Sequence, residues 1–81
     1  MNKYSVKIGD STITRVNRTR AKKIYENGGR VTLCASNMRP DNFGVVIDNS
    51  DGAHFEKVEN AFYYYNCNAE TGKRINYFVE Q

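Results

Sequence analysis

The sequence predicts an α+β fold, a small antiparallel sheet with one amphipathic helix packed on one face. Three observations carry that expectation. Tyr4, Val6 and Ile8 alternate with Ser5 and Lys7 and run into Gly9-Asp10, the pattern of a half-buried strand and a turn. Asn17 and Gly28-Gly29 bracket a stretch in which Ala21, Ile24 and Tyr25 recur at helical spacing. Near the end, Ile75, Tyr77 and Val79 alternate with polar or aromatic neighbours.

Taken in order, the first strand turns at Gly9-Asp10 into Thr12-Ile13-Thr14, giving an amino-terminal hairpin. A helix over 18–27 follows, with Ala21, Ile24, Tyr25 and Gly28 on one stripe, Arg18 and Lys22 along one border and Arg20 and Lys23 along the other. A third strand is expected over 30–35, where Val31 and Leu33 supply the alternation. Residues 36–42 read as a loop around Pro40, the single proline. The near-continuous apolar run 43–48 reads as a strand covered on both faces or central in the sheet. Asn49-Ser50-Asp51-Gly52 turns the chain. A short helix or turn over 55–60 is expected next, then a strand over the aromatic run 62–67, a hairpin loop over 68–72, and a last strand over 74–79.

At 81 residues the chain is one domain, residues 1–81, of a size that buries about 60% of its unfolded surface. Hydrophobic residues make up 40%, and ten aromatics provide enough core material to exclude a disordered chain. No apolar stretch long enough for a membrane span is present, and Met1-Asn2-Lys3-Tyr4 opens no signal peptide, so the expected location is the cytosol.

Metal and catalytic chemistry find little footing. Cys34, His54 and Cys67 are scattered too widely for a zinc site or a redox pair, and the two cysteines read as reduced thiols that would pair only if their strands proved adjacent. Asp48-Asn49-Ser50-Asp51-Gly52 has its glycine one place early for a calcium loop, and a tight turn explains the same residues. Asn17-Arg18-Thr19 fits a glycosylation sequon, but Asn17 already has a capping role. With one imidazole and no nucleophile signature, no enzyme activity, catalytic residue, metal or cofactor is expected.

Charge is distributed unevenly. Six basic residues (Arg15, Arg18, Arg20, Lys22, Lys23, Arg30) face one acid between positions 15 and 30, whereas five acids (Asp41, Asp48, Asp51, Glu56, Glu59) face one base between 41 and 59. Positive charge at a helix start opposes the macrodipole, so Arg15, Arg18, Arg20 and Lys22 are expected to meet an acidic partner. In a strand, the run Tyr63-Tyr64-Tyr65 must turn at least one ring outward. Tyr63 and Tyr65 are accordingly the expected aromatic anchors, completing a partner-binding set of Arg15, Arg18, Arg20, Lys22, Tyr63 and Tyr65.

Several segments together resemble small uncharacterised accessory proteins of phages and integrative elements in low-G+C Gram-positive bacteria. They are Ala21-Lys22-Lys23-Ile24-Tyr25-Glu26-Asn27-Gly28-Gly29 running into Val31-Thr32-Leu33, then Met38-Arg39-Pro40, Val58-Glu59-Asn60-Ala61-Phe62, Tyr64-Tyr65-Asn66-Cys67-Asn68 and Glu70-Thr71-Gly72-Lys73. The resemblance covers about residues 13–79 and brings no catalytic motif with it. It implies a protein working in the host bacterial cytoplasm as an accessory of a mobile element. A common role there is the blocking of a host-defence protein, as anti-CRISPR proteins do. The leading expectation is therefore a non-enzymatic inhibitor that binds a host-defence protein. The alternatives are a small nucleic-acid-binding protein using the basic helix, or a sponge that sequesters a nucleotide signal.

Overall fold

The structure, a computed structural model, describes residues 5–67 and 74–80. Along the chain run β1 (Ser5–Ile8), β2 (Ser11–Val16), α1 (Arg18–Glu26), β3 (Val31–Ala35), α2 (Pro40–Phe43), β4 (Val45–Ile47), α3 (Phe55–Phe62), a π-helical turn (Tyr63–Cys67) and β5 (Ile75–Glu80). The five strands form one antiparallel sheet in the order β1-β2-β5-β3-β4, so the last strand in sequence is the central one. The amino-terminal hairpin closes at Gly9, whose φ of 60° lies in the left-handed region that glycine enters without strain.

The α1 helix forms where the caps say it should. The Asn17 side chain accepts from the Arg20 backbone N–H at 2.8 Å. At the other end Gly29 N–H donates to the Ile24 carbonyl and Gly28 N–H to the Tyr25 carbonyl, a Schellman closure that needs the φ of 91° at Gly28. Ala21 and Tyr25 are fully buried and Ile24 packs beside them, but Gly28 is exposed and serves as the cap, so it leaves the expected stripe. The Tyr25 hydroxyl donates to the Ala53 carbonyl at 2.8 Å, so burial of this ring leaves no orphaned polar atom.

Strand alternation divides the interior into two. Val31, Leu33 and Ala35 of β3 and Val79 of β5 face α1 and α3, joined by Tyr25, Phe55 and Phe62, with Ile75 and Tyr77 packed against them. On the opposite face Val6, Ile13, Cys34 and Phe78 form a smaller cluster. That second face is roofed by α2, which touches β3 and β1. Gly44 makes the roof possible: a Cβ there would stand 2.5 Å from the Pro40 carbonyl oxygen and 2.7 Å from Cγ2 of Thr32.

Three sequence expectations are corrected. The segment 36–42 is not all loop, because Pro40 takes the first helical position of α2, where its missing N–H costs nothing. The run 43–48 is not a central or doubly covered strand. Only Val45–Ile47 pair, at the sheet edge, and Val45 and Val46 are exposed. The doubly covered strand is β3, all five residues of which are buried. The aromatic run 62–67 is not a strand but continues α3 through Phe62 into a π-helical turn. Phe55 and Phe62 on one face of α3 drop into the core, and that tertiary gain overrides the β-propensity of the tyrosines. The expected α+β class holds: the sheet is antiparallel and α1 packs on one face, with α3 beside it and α2 on the other face. The expected hairpin loop over 68–72 lies outside the described residues.

Candidate functional site

The first turn of α1, the middle of α3 and the start of β5 meet around one carboxylate. Glu59 accepts from Arg18 Nε at 2.6 Å and from a second guanidinium nitrogen at 2.8 Å, and the Tyr77 hydroxyl donates to Glu59 Oε2. The Glu59 side chain is only 12% exposed. Burial pushes its pKa up, but the hydrogen bonds from Arg18 and Tyr77 outweigh burial and leave the carboxyl below its usual range. The hydrogen bond to Glu59 holds the Arg18 guanidinium firmly charged, and burial together with the same carboxylate raises the Tyr77 phenol above its ordinary value. Arg18 also stands 5.5 Å from the centroid of the Phe55 ring, a cation–π distance. One turn further along α1 and one turn earlier on α3, Lys22 pairs with Glu56.

These contacts change the reading of the basic helix start. Arg18 and Lys22 were expected to need a charge from outside the monomer, yet α3 answers both with Glu59 and Glu56. The signal was present in the sequence. Two bases four apart on one helix match two acids three apart on another, and both pairs fall on single faces. Part of the uneven charge along the chain is thus an internal clasp between α1 and α3.

The remaining expected residues do not assemble into one patch. Arg15 lies on β2 opposite Phe78, on the face away from α1, and is exposed. Arg20 is exposed on α1 and, among the described residues, has no carboxylate partner. Tyr63 is half-buried and packs against the main core, so it is not the outward ring. Tyr65 does point out, at 80% exposure, and so does Tyr64 at 78%, a residue outside the expected set. Their ring centroids are 5.1 Å apart, edge to face. A π-helical turn rather than strand alternation puts two neighbouring rings outside together.

Beside the clasp opens a cleft of about 580 Å³, lined by Arg18, Glu59, Asn60, Tyr63, Arg74, Ile75 and Tyr77. Sequence reasoning missed Arg74 and Tyr77 because they reach this place only when β5 enters the centre of the sheet beside α1 and α3. Other chemistry is spent locally. The Cys34 thiol is fully buried and donates to the Ala35 and Met38 carbonyls, both at 3.4 Å, while the side chain of Cys67 lies outside the described residues. Asp48 accepts from the Ser50 backbone at 3.0 Å and from its hydroxyl at 2.7 Å, holding the turn that Gly52 closes with a φ of 75°. His54 sits exposed at the start of α3. Among the described residues no three His, Cys, Asp or Glu side chains converge for a metal ion, and no helix is long and apolar enough to cross a membrane.

Fold and site together define a small α+β protein with a charge clasp between two helices, an outward tyrosine pair and one partly polar cleft. Comparison with known protein families, with curated proteins and with solved structures gives no match.

Proposed function

We propose that this chain is a non-catalytic accessory protein of a mobile genetic element that binds and blocks a bacterial host-defence protein, in the manner of anti-CRISPR proteins. The observation that carries the reading is the outward pair Tyr64 and Tyr65. Two large rings held in solvent on a helical turn join neither core cluster among the described residues, and tyrosine is enriched among the residues that dominate protein–protein binding. Arg20 and Arg15 remain available as charged contacts, whereas Arg18 and Lys22 act mainly inside the molecule. The same internal pairing weakens the nucleic-acid reading, since it leaves fewer cations on α1 to replace counterions.

The test is functional and physical together. Expression of the chain in a host that restricts an infecting phage should restore plating, and the Tyr64→Ala/Tyr65→Ala variant should lose that effect while folding normally. Affinity capture from nuclease-treated lysate should retain a protein partner with the wild type and lose it with the variant. Unchanged restriction across a panel of hosts with distinct defence systems, or capture that nuclease abolishes, defeats the reading.

A further inference from the structure

The cleft beside the clasp is built like a ligand site. Its back is rigid, because Glu59 receives two hydrogen bonds from Arg18 and one from Tyr77, which fixes all three side chains. The charge of Glu59 cancels that of Arg18, whose Nε and one Nη are both turned to that carboxylate. Arg74 lines the same cleft, is exposed, and has no carboxylate partner among the described residues. The lining therefore carries one net positive charge, with the guanidinium donors of Arg74 turned to no carboxylate among the described residues.

The walls are apolar by contrast. Tyr63, Ile75 and Tyr77 contribute ring and aliphatic surface, and Asn60 adds an amide with both a donor and an acceptor. About 580 Å³ is far more than an inorganic oxyanion fills and falls in the range of small-ligand pockets. A ligand matching these features has a flat apolar body with hydrogen-bonding edges and a single anionic group.

We propose that this cleft binds a mononucleotide, its base against the rings of Tyr63 and Tyr77 and its phosphate on the guanidinium of Arg74. Guanidinium groups match phosphate geometry, and tyrosine faces accept any base. The site is separate from the partner-binding reading, which rests on Tyr64 and Tyr65 and stands or falls without it.

Nuclear magnetic resonance titration of the full chain with AMP, GMP, CMP and UMP tests the proposal, with adenosine and inorganic phosphate as controls. At least one nucleotide should bind with a Kd of about 1 mM or tighter and shift the signals of Tyr63, Ile75 and Tyr77. Arg74→Gln, a change at an exposed position that should leave the unfolding midpoint where it was, should weaken that binding at least about tenfold. Tyr64→Ala should leave it unchanged. A 5′-phosphorylated tetranucleotide that binds more tightly than the monomer identifies the ligand as a strand end, and equal or weaker binding identifies it as a free nucleotide. The proposal is overturned if none of the four nucleotides moves those signals at about 5 mM. It is equally overturned if adenosine or phosphate alone binds as well as the nucleotide, or if folded Arg74→Gln binds like the wild type.

Discussion

The face of the sheet under α1 and α3 buries Tyr25, Phe55 and Phe62 against β3 and β5, whereas the face under α2 buries the smaller cluster of Val6, Ile13, Cys34 and Phe78 and leaves Ile8, Met38, Phe43 and Val46 in solvent. Phe43 is 60% exposed and Val46 59%. The difference follows from the size of the roof. Two helices of nine and eight residues cover the first face, and a four-residue turn of helix covers the second. On the first face two ion pairs also join the helices, Arg18–Glu59 and Lys22–Glu56. Side chains there are consumed by folding, so surface chemistry free to meet a partner must be sought at its margins, in Tyr64, Tyr65 and Arg74.

The sharpest way to break the comparison is to empty the first face. Phe55 is 1% exposed, meets Tyr25 edge to face at 5.4 Å and carries Arg18 over its ring. Phe55→Ala should destabilise the fold by about 3 to 5 kcal/mol, read from the shift of the denaturant midpoint. A loss below about 1 kcal/mol would mean that α3 is not anchored in the core as described.

Local chemistry made part of this legible and long-range pairing hid the rest. Asn17, Gly28 and Gly29 announce α1 because capping depends on neighbours in sequence, and Gly9 and Gly52 announce turns for the same reason. The apolar run 43–48 hides its place at the sheet edge because it records hydrophobicity and not which strand lies beside it. Its neighbour β3, with Thr32 as its second residue, looks no more apolar yet is the one covered on both faces. The tyrosine run is ambiguous in sequence because propensity favours strand while the spacing of Phe55, Val58 and Phe62 favours helix, and core burial decides between them. The candidate site was the least legible. Arg15 and Arg18 are three apart in sequence but serve opposite faces, while Arg18, Glu59 and Tyr77 are remote in sequence and share one carboxylate.

The clasp supplies a second, smaller effect and a pH dependence that distinguishes the two faces. Because the folded pKa of Glu59 lies below its unfolded value of about 4.3, its contribution is present above that unfolded value and is lost as pH falls through the folded one. Glu59→Gln removes the charge but keeps the shape, and should cost about 1 to 3 kcal/mol at neutral pH. The gap between wild type and variant should shrink as the solution is acidified below about pH 4. Urea unfolding at neutral and acid pH measures both. A gap that stays constant over that range would show that Glu59 is not ionised against Arg18 in the folded state.

The smallest expected effect belongs to the sparsely covered face, and its smallness is the point. Phe43 and Val46 are largely exposed, and Val46 lies on the edge strand opposite Thr32, so truncating them removes little buried area from the monomer. The double variant Phe43→Ser/Val46→Thr should change stability by no more than about 0.5 kcal/mol, against several for Phe55→Ala on the other face. The midpoint of thermal or denaturant unfolding decides it. A loss of about 2 kcal/mol or more would show that α2 and β4 form a packed layer comparable to α1 and α3, and the contrast between the faces would fail. A negligible loss leaves the contrast standing. It would also show that these apolar side chains are not retained for the stability of the isolated chain, since Ser and Thr would serve the fold equally well there.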